Sequence, residues 1–240
     1  MAAAAMITKI AYCSDDRDSI GTLVRNMPLH LFNLEPLLFS AIRIGDPSTV
    51  RLLLNSGRVN PSSEDERGQQ PLLCAVNYGR KDVARLLLSR SEIAVDAGDH
   101  NFRTPLSWAV QKADKDLVTL LLETSKVDHN SKDRNSWTPL AWAVKSKNPT
   151  AVKLLLDRDN VDADKDERIP LSWAAQSSSG SLGIMRFLLE SGKVDADSKD
   201  HNGRTPLSWA AQLGLLDIVE LLIESGKVNG TLRDNSVGLQ

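Results

Sequence analysis

Cysteine is scarce in this 240-residue chain, which contains only Cys13 and Cys74. Two cysteines cannot build the disulfide framework of a small secreted domain, and neither has partners at the spacing of a metal site. Cys74 lies in the apolar segment 71–76, where we expect a buried, inert thiol. We therefore expect an intracellular protein, cytoplasmic or nuclear.

The chain also lacks an excess of charge of either sign. Its formal net charge is −2 and charged residues make up 25%, so it has no chain-wide attraction to nucleic acid or to an acidic membrane surface. No apolar run approaches the length of a membrane span, and residues 1–9 lack the basic start and long apolar core of a secretory signal. We expect neither nucleic acid nor a membrane as partner.

Recognisable catalytic motifs are absent as well. The sequence contains no glycine-rich phosphate loop, nucleophile elbow or cluster of metal ligands. Of its four histidines, His100 and His201 hold equivalent positions in a repeated segment, which repetition explains better than catalysis. We predict no catalytic residue, no cofactor and no metal, and enzymatic activity is the less favoured interpretation.

What the chain does contain is a repeated segment. Thr-Pro-Leu-Ser-Trp-Ala occurs at 104–109 and 205–210, with close variants at 138–143 and 169–174 and weaker ones at 70–75 and 36–41. The marker leucines are spaced 34, 34, 34, 31 and 36 residues apart, at Leu38, Leu72, Leu106, Leu140, Leu171 and Leu207. Six units with a nearly constant step predict a repeat architecture.

Each unit predicts two helices. A threonine hydroxyl can cap the first helix by accepting an unpaired amide, and proline at the first helical position has no amide to leave unpaired. A second apolar run follows with the i, i+3, i+4 spacing of a helix with one buried face. These runs lie at 50–54, 83–88, 117–122, 152–156, 184–189 and 218–223. Short polar links join the units, and one carries the tight-turn signal Asn202-Gly203.

A helix pair and a turn-rich finger in about 34 residues resemble the ankyrin repeat, and Asp200–Ala211 is similar to the repeat style common in fungal ankyrin arrays. The resemblance implies an all-α ankyrin-repeat solenoid of about six helix-turn-helix repeats with short β-hairpin-like fingers. We divide the chain into an N-terminal segment with a capping helix at 18–27 (1–34), the ankyrin-repeat domain (35–230) and a C-terminal tail (231–240).

Two positions depart from the family's usual repeat. The histidine expected after Thr-Pro-Leu is serine or alanine here, so its hydrogen bond between repeats is expected to be lost. The next position, usually leucine, is tryptophan in four repeats, at Trp108, Trp142, Trp173 and Trp209. We interpret these tryptophans as core residues whose buried area compensates for the lost bond.

The resemblance also implies where a partner would bind, because ankyrin-like modules use their fingertips and the inner helices of a concave face. The candidate partner-binding residues are Tyr78, His100, Arg103, Lys112, Arg134, Asn135, Trp137, Lys145, Arg168, His201, Arg204 and Gln212. This set carries more base than acid, which suits a partner with an acidic segment or a small anionic ligand.

Trp137 stands out among the candidates. It lies directly before Thr138 on a predicted fingertip, where packing does not require an aromatic residue. With Tyr78 and Arg134 it has the composition of an interface hot spot, so we expect it to be exposed. The alternative is that its ring folds back on an adjacent finger.

Two regions of the array are irregular. The link before repeat five is three residues short, and residues 177–181 lengthen the loop inside that repeat, which indicates either a ligand-specific notch or drift in a tolerant loop. The last repeat carries Leu213 and Leu215 where polar residues are usual. This end either self-associates or belongs to a longer array.

The sequence thus predicts a protein-protein interaction module that presents a rigid concave surface of fingertips and inner helices, so that little entropy is lost on binding. The alternative is a small-molecule-binding or enzymatic ankyrin protein, for example in a biosynthetic pathway. It would use the concave groove as its active site, with His100, His201 or an adjacent acid moving a proton.

Overall fold

The computed structural model describes residues 33–163, 170–176, 182–200 and 202–229. Within these ranges the chain forms helices and turns and contains no strand. The helices are α1 (Glu35–Ile44), α2 (Pro47–Asn55), α3 (Pro71–Asn77), α4 (Lys81–Leu88), α5 (Pro105–Gln111), α6 (Lys115–Leu122), α7 (Pro139–Lys145), α8 (Pro149–Leu156), α9 (Pro170–Gln176), α10 (Leu182–Ser191), α11 (Pro206–Gln212) and α12 (Leu216–Glu224).

These elements belong to two compact units. The first comprises the described residues up to Trp108 together with Glu123–Lys126, and the second comprises Ala109–Leu122 and the described residues from Val127 onward. In both units an odd-numbered inner helix packs against the even-numbered outer helix that follows it, as α3 does with α4 in the first unit and α7 with α8 in the second.

The inner helices begin as the sequence predicts. Thr138 and Thr205 have extended backbone, and their hydroxyls accept the amides of Ala141 and Ser208, each at 3.2 Å. A proline occupies the first position of α3, α5, α7, α9 and α11. Ser208 Oγ donates to the Thr205 carbonyl at 3.0 Å, so this serine bonds within its own repeat.

Some outer helices begin at polar caps, although α4 and α12 have no side-chain cap. Asp46 accepts the amides of Ser48 and Thr49 before α2, and Asn148 accepts the amide of Ala151 before α8. Each outer helix buries one apolar face, as the i, i+3, i+4 spacing predicts. The central leucines of these faces are completely buried, at Leu53, Leu87, Leu121, Leu155, Leu188 and Leu222.

The core is built from these leucines and from the leucine that follows each proline position. Leu38, Leu72, Leu106, Leu140 and Leu171 are also fully buried. Truncating one such leucine to alanine typically costs about 2–5 kcal/mol, because the transfer free energy is lost and a cavity remains. The marker leucines of the first five repeats are therefore core residues of their helix pairs, whereas Leu207 of the last repeat is half-buried.

Three predictions fall outside the described residues: the capping helix at 18–27, most of the short finger of repeat five, and the loop at 177–181. Among the described residues, no helix has both the length and the apolar character needed to cross a membrane.

Each inner helix other than α9, whose following residues lie outside the described ranges, ends in a left-handed residue that reverses the chain. The amide of Ala113 bonds to the Val110 carbonyl and the amide of Asp114 to the Ala109 carbonyl, which closes the carboxyl end of α5. Glycine takes this position at Gly45, Gly79 and Gly214, whereas Ala113 and Lys147 adopt it with φ of 57° and 52°. A residue with a Cβ is strained in this conformation.

We expect Ala113→Gly to stabilise the protein by about 0.5–1 kcal/mol, since relief of the left-handed strain outweighs the greater chain entropy of glycine. The reverse change, Gly214→Ala, should destabilise it by a similar amount, because an added Cβ there meets open space and only the backbone is strained. Midpoints of urea unfolding measure both effects. Shifts of the same sign in the two variants would contradict this account.

Candidate interaction surface

An aspartate closes four of the described fingers. Oδ1 of Asp99 accepts the amides of Asn101 and Arg103 at 2.8 and 3.1 Å, and the Asp99 amide donates to the Arg103 carbonyl at 3.1 Å. The same arrangement recurs at Asp65, Asp133 and Asp200. The hairpin-like fingers of the sequence prediction are thus closed turns in the described residues.

The second oxygen of these carboxylates holds the repeated tryptophan. Trp108 Nε1 donates to Asp99 Oδ2 at 3.1 Å, which joins the inner helix to the finger nine residues earlier. Trp142 with Asp133, at 3.0 Å, and Trp209 with Asp200, at 2.8 Å, repeat this bond. Each indole is therefore fixed in orientation by its own repeat.

The prediction that the four repeated tryptophans are core residues is wrong for three of them. Trp108, Trp173 and Trp209 are half-buried, and only Trp142 is buried. An indole N–H needs an acceptor, and the finger carboxylate supplies it to Trp108, Trp142 and Trp209 whether the ring is buried or half-buried. The aspartate nine residues before the tryptophan was the sequence signal for this bond.

Repeat two shows what happens without the tryptophan. Cys74 takes its position and is completely buried, as the sequence predicts, and Arg43 Nη2 occupies Asp65 Oδ2 at 3.3 Å. Burial, with the nearby Asp65 charge, raises the pKa of the Cys74 thiol to about 12. Cys74 is therefore protonated at neutral pH and unreactive.

Asp99 remains ionised inside its network. Burial raises the pKa of this carboxyl, but the amides of Arg103 and Asn101, the Arg103 charge and the Trp108 indole together outweigh burial, so the pKa lies below its ordinary value. The Arg103 guanidinium reaches Asp99 Oδ2 through Nη2 at 3.0 Å and Nε at 3.1 Å. The carboxylate thus holds both an indole and a guanidinium.

A cation lies over the indole face in three repeats. The guanidinium carbon of Arg103 is 4.1 Å from the ring centroid of Trp108, and that of Arg204 is 4.5 Å from Trp209. Arg204 Nη1 also donates to Gln212 Oε1 at 2.7 Å. Both arginines stand directly before the capping threonine, and stacking fixes their heads over the inner helix.

Trp137 holds this same position in repeat four, and its predicted exposure is wrong. Its side chain is only 5% exposed. The ring lies 5.1 Å from Trp142 and 5.0 Å from Trp173, centroid to centroid, with interplanar angles of 43° and 62°. The residue before the capping threonine points toward the inner helices. Packing against the neighbouring indoles there removes the apolar area of its ring from water.

In repeat four the aromatic residue and the cation of the stacked pair exchange positions. The finger supplies the aromatic ring, and the cation comes from the inner helix as Lys145, whose Nζ lies 4.1 Å from the Trp137 centroid and 5.0 Å from the Trp142 centroid. Lys145 occupies the position of Gln212, which contacts Arg204 in the last repeat. A cation is thus kept over the aromatic face by a different residue.

The other candidate residues divide by unit and exposure. Tyr78, Arg103 and Arg204 are half-buried, whereas the exposed ones are His100, Lys112, Arg134, Asn135, Lys145 and Gln212. Arg168 and His201 lie outside the described residues. Tyr78, His100 and Arg103 belong to the first unit, and the remaining described candidates belong to the second. Among the described residues, no group of three or more His, Cys, Asp or Glu side chains could hold a metal ion.

Repeated helix pairs joined by carboxylate-closed fingers define a helical repeat protein. The family model Ankyrin repeats (3 copies) matches residues 15–99, 37–133, 106–200 and 160–234. The chain belongs to the ankyrin-repeat family, and its fold class is the all-α ankyrin-repeat solenoid that the sequence predicts. No curated protein matches the chain significantly.

Solved structures agree with this assignment. The chain is similar to the ankyrin repeat domain of Bcl-3, described as a unique member of the IkappaB protein family, with 26% identity, a TM-score of 0.76, and coverage of 82% of this chain and 88% of that one. It also resembles the ankyrin repeat protein EF0377, with 24% identity, a TM-score of 0.71, and coverage of 78% and 96%. An ankyrin repeat domain from Acinetobacter baumannii matches with 22% identity, a TM-score of 0.67, and coverage of 80% and 98%. The last two likenesses concern the fold alone.

Ankyrin repeats generally serve as protein-interaction modules, since their repeats build extended binding surfaces. The enzymatic alternative gains no support from these comparisons, and the fungal repeat style stays a prediction.

We expect Trp137→Ala to destabilise the protein by about 3–5 kcal/mol, because it removes a buried indole from between two others. Asn135→Ala on the same finger should change stability by less than about 0.5 kcal/mol, since that side chain is exposed. Chemical unfolding followed by tryptophan fluorescence and circular dichroism measures both. Equal unfolding midpoints for Trp137→Ala and wild type would contradict the packing of this ring.

We expect Asp99→Asn to lower the free energy of unfolding by about 1–3 kcal/mol near neutral pH. The side-chain NH2 group of the asparagine would face the Trp108 N–H, and two donors cannot form a hydrogen bond. The pKa of Asp99 is lower in the folded protein, so its stabilising contribution is present above the unfolded pKa and is lost as pH falls toward the folded one. The difference in free energy of unfolding between wild type and variant should shrink from about pH 7 to about pH 3. Asp159→Asn, at an exposed position, is the control and should show little effect at either pH.

Proposed function

We propose that the chain is a protein-interaction module whose second unit binds an acidic segment of a protein partner. The observation that carries the proposal is in repeat four, where the Lys145 ammonium is held over Trp137 and Trp142. Arg134 on the finger of the same repeat is exposed. This repeat therefore offers two accessible bases, one of them held in place.

Preorganisation favours binding at such a site. Ordering a long side chain on association costs about 0.5–1.5 kcal/mol, and Lys145 is already ordered by its aromatic contacts. Charge-assisted hydrogen bonds from Lys145 and Arg134 to carboxylates of the partner are the strong kind. The last repeat offers a second ordered cation in Arg204, over Trp209 and bonded to Gln212.

Trp137 contributes to this surface indirectly. Because its ring is buried, its part in binding is to position Lys145. Asn135 and Lys112 are exposed in the same unit and are further candidate contacts. An intracellular location, cytoplasmic or nuclear, is part of the proposal, as is the restriction of the acidic ligand to the second unit.

The test uses a fluorescein-labelled peptide of alternating glutamate and serine and the full chain. We expect wild-type protein to bind it, and Arg134→Glu with Lys145→Glu to weaken binding at least about tenfold, since both bases become repulsive. The matched control is Lys153→Glu with Arg186→Glu, which makes the same change in net charge at exposed positions of α8 and α10. Fluorescence anisotropy measures the affinities, and circular dichroism checks the fold.

Equal weakening in the two double variants would show that net charge alone governs binding and would contradict the proposed surface. Absence of binding to wild-type protein would contradict the preference for acidic segments.

A further inference from the structure

The C-terminal repeat exposes an apolar stripe. On α12, Leu216, Val219 and Ile223 follow the i, i+3, i+7 spacing of one helix face. Leu216 is 71% exposed and Ile223 58%, while Val219 is half-buried. A row of large exposed apolar side chains marks an interaction surface.

The positions of Val219 and Ile223 are covered in the preceding repeats, whereas the position of Leu216 is only partly covered or exposed there. Leu189 of α10 and Leu156 of α8 hold the position of Ile223, and they are 4% and 7% exposed. Met185, which corresponds to Val219, is completely buried. Because α10 packs on α8 and α12 packs on α10, both α8 and α10 have these two positions covered by the next outer helix. The stripe on α12 is therefore built like one side of a helix–helix interface.

These internal interfaces place a base beside the apolar contact. Lys193 Nζ donates to the Leu156 carbonyl at 2.9 Å and to the Arg158 carbonyl, at the carboxyl end of α8. Lys227 Nζ donates to the Leu189 carbonyl near the end of α10. The carboxyl end of a helix carries partial negative charge and favours a cation. The covering repeat thus brings both an apolar ridge and a lysine.

On α12 the stripe is bordered by acid. Asp217, Glu220 and Glu224 are exposed, and the only base among residues 212–229 is Lys227, whose ammonium is bonded to the Leu189 carbonyl. A second copy docking symmetrically through this face would bring these carboxylates together, which like-charge repulsion disfavours. A partner bordered by bases would pair with them.

We propose that the stripe formed by Leu216, Val219 and Ile223 docks a helix of another protein whose apolar ridge is bordered by lysine or arginine. One of these bases reaches the carbonyls at the end of α12, as Lys193 and Lys227 do at the two internal interfaces. This surface differs from the fingertip surface in the ligand that it binds. The stripe binds a helix bordered by bases, whereas the fingertips bind an acidic segment.

The test uses two labelled amphipathic peptides of about 18 residues, long enough to form a helix, one of leucine and lysine and one of leucine and glutamate. We expect the leucine–lysine peptide to bind the full chain at least about tenfold more tightly than the leucine–glutamate peptide, and to weaken with added salt. Leu216→Lys with Ile223→Lys should lower the affinity for the leucine–lysine peptide at least about tenfold. The two substitutions remove apolar contacts and add positive charge beside the acidic residues that border the stripe.

Two controls keep the test specific. Glu123→Lys makes the same change in net charge as the double variant at an exposed position in the first unit and should leave binding within about twofold of wild type. Leu216→Lys alone places at the first residue of α12 the residue that begins α4 and α6, Lys81 and Lys115, so this variant should fold even where the double variant fails. It should show a partial loss of binding.

Three results would overturn the proposal: equal binding of the two peptides, unchanged binding by Leu216→Lys, or an equal loss in Glu123→Lys. Sedimentation velocity of the unliganded chain provides a fourth. A wild-type dimer that Leu216→Lys dissociates, with no peptide bound, would assign the stripe to a second copy.

Discussion

The finger aspartate is the constraint on which this surface depends. One carboxylate oxygen closes the fingertip on two amides, and the other holds the indole of the following inner helix. Loop and helix are thereby joined in the repeats of Trp108, Trp142 and Trp209 by charge-assisted hydrogen bonds, which are stronger than neutral ones. Where the tryptophan is replaced by Cys74, Arg43 occupies the free oxygen. The carboxylate is satisfied in each case, although its partner differs.

Repeat four shows that the arrangement tolerates an exchange of residues more readily than a loss of the contact. Arg103 and Arg204 stack from the finger onto the helix, whereas Trp137 and Lys145 stack with the roles reversed. The exchange has a consequence for recognition. A stacked arginine at the finger base is bonded within its repeat, while Lys145 at the end of the inner helix is exposed. Irregularity in a repeat protein can therefore change which residue presents the cation without changing the fold.

The second unit carries two surfaces of opposite charge. Bases lie over the indoles of Trp137 and Trp209, and carboxylates border the apolar stripe of α12. The stripe follows from the one-dimensional construction of a repeat array, in which each repeat contacts only its neighbours. Residues that face along the array are apolar because the next repeat covers them, and α12 retains that character at Ile223.

The sequence by itself determined the helix pairs, their starts at Thr138 and Thr205, and the buried leucines, because caps, proline and apolar spacing act within a few residues of one another. It did not determine the exposure of the aromatic residues. Trp137 was expected outside and is buried, while Trp108 was expected inside and is half-buried. Whether an indole is covered depends on rings from the next repeat and on a carboxylate nine residues away. Only the tertiary structure brings those groups together.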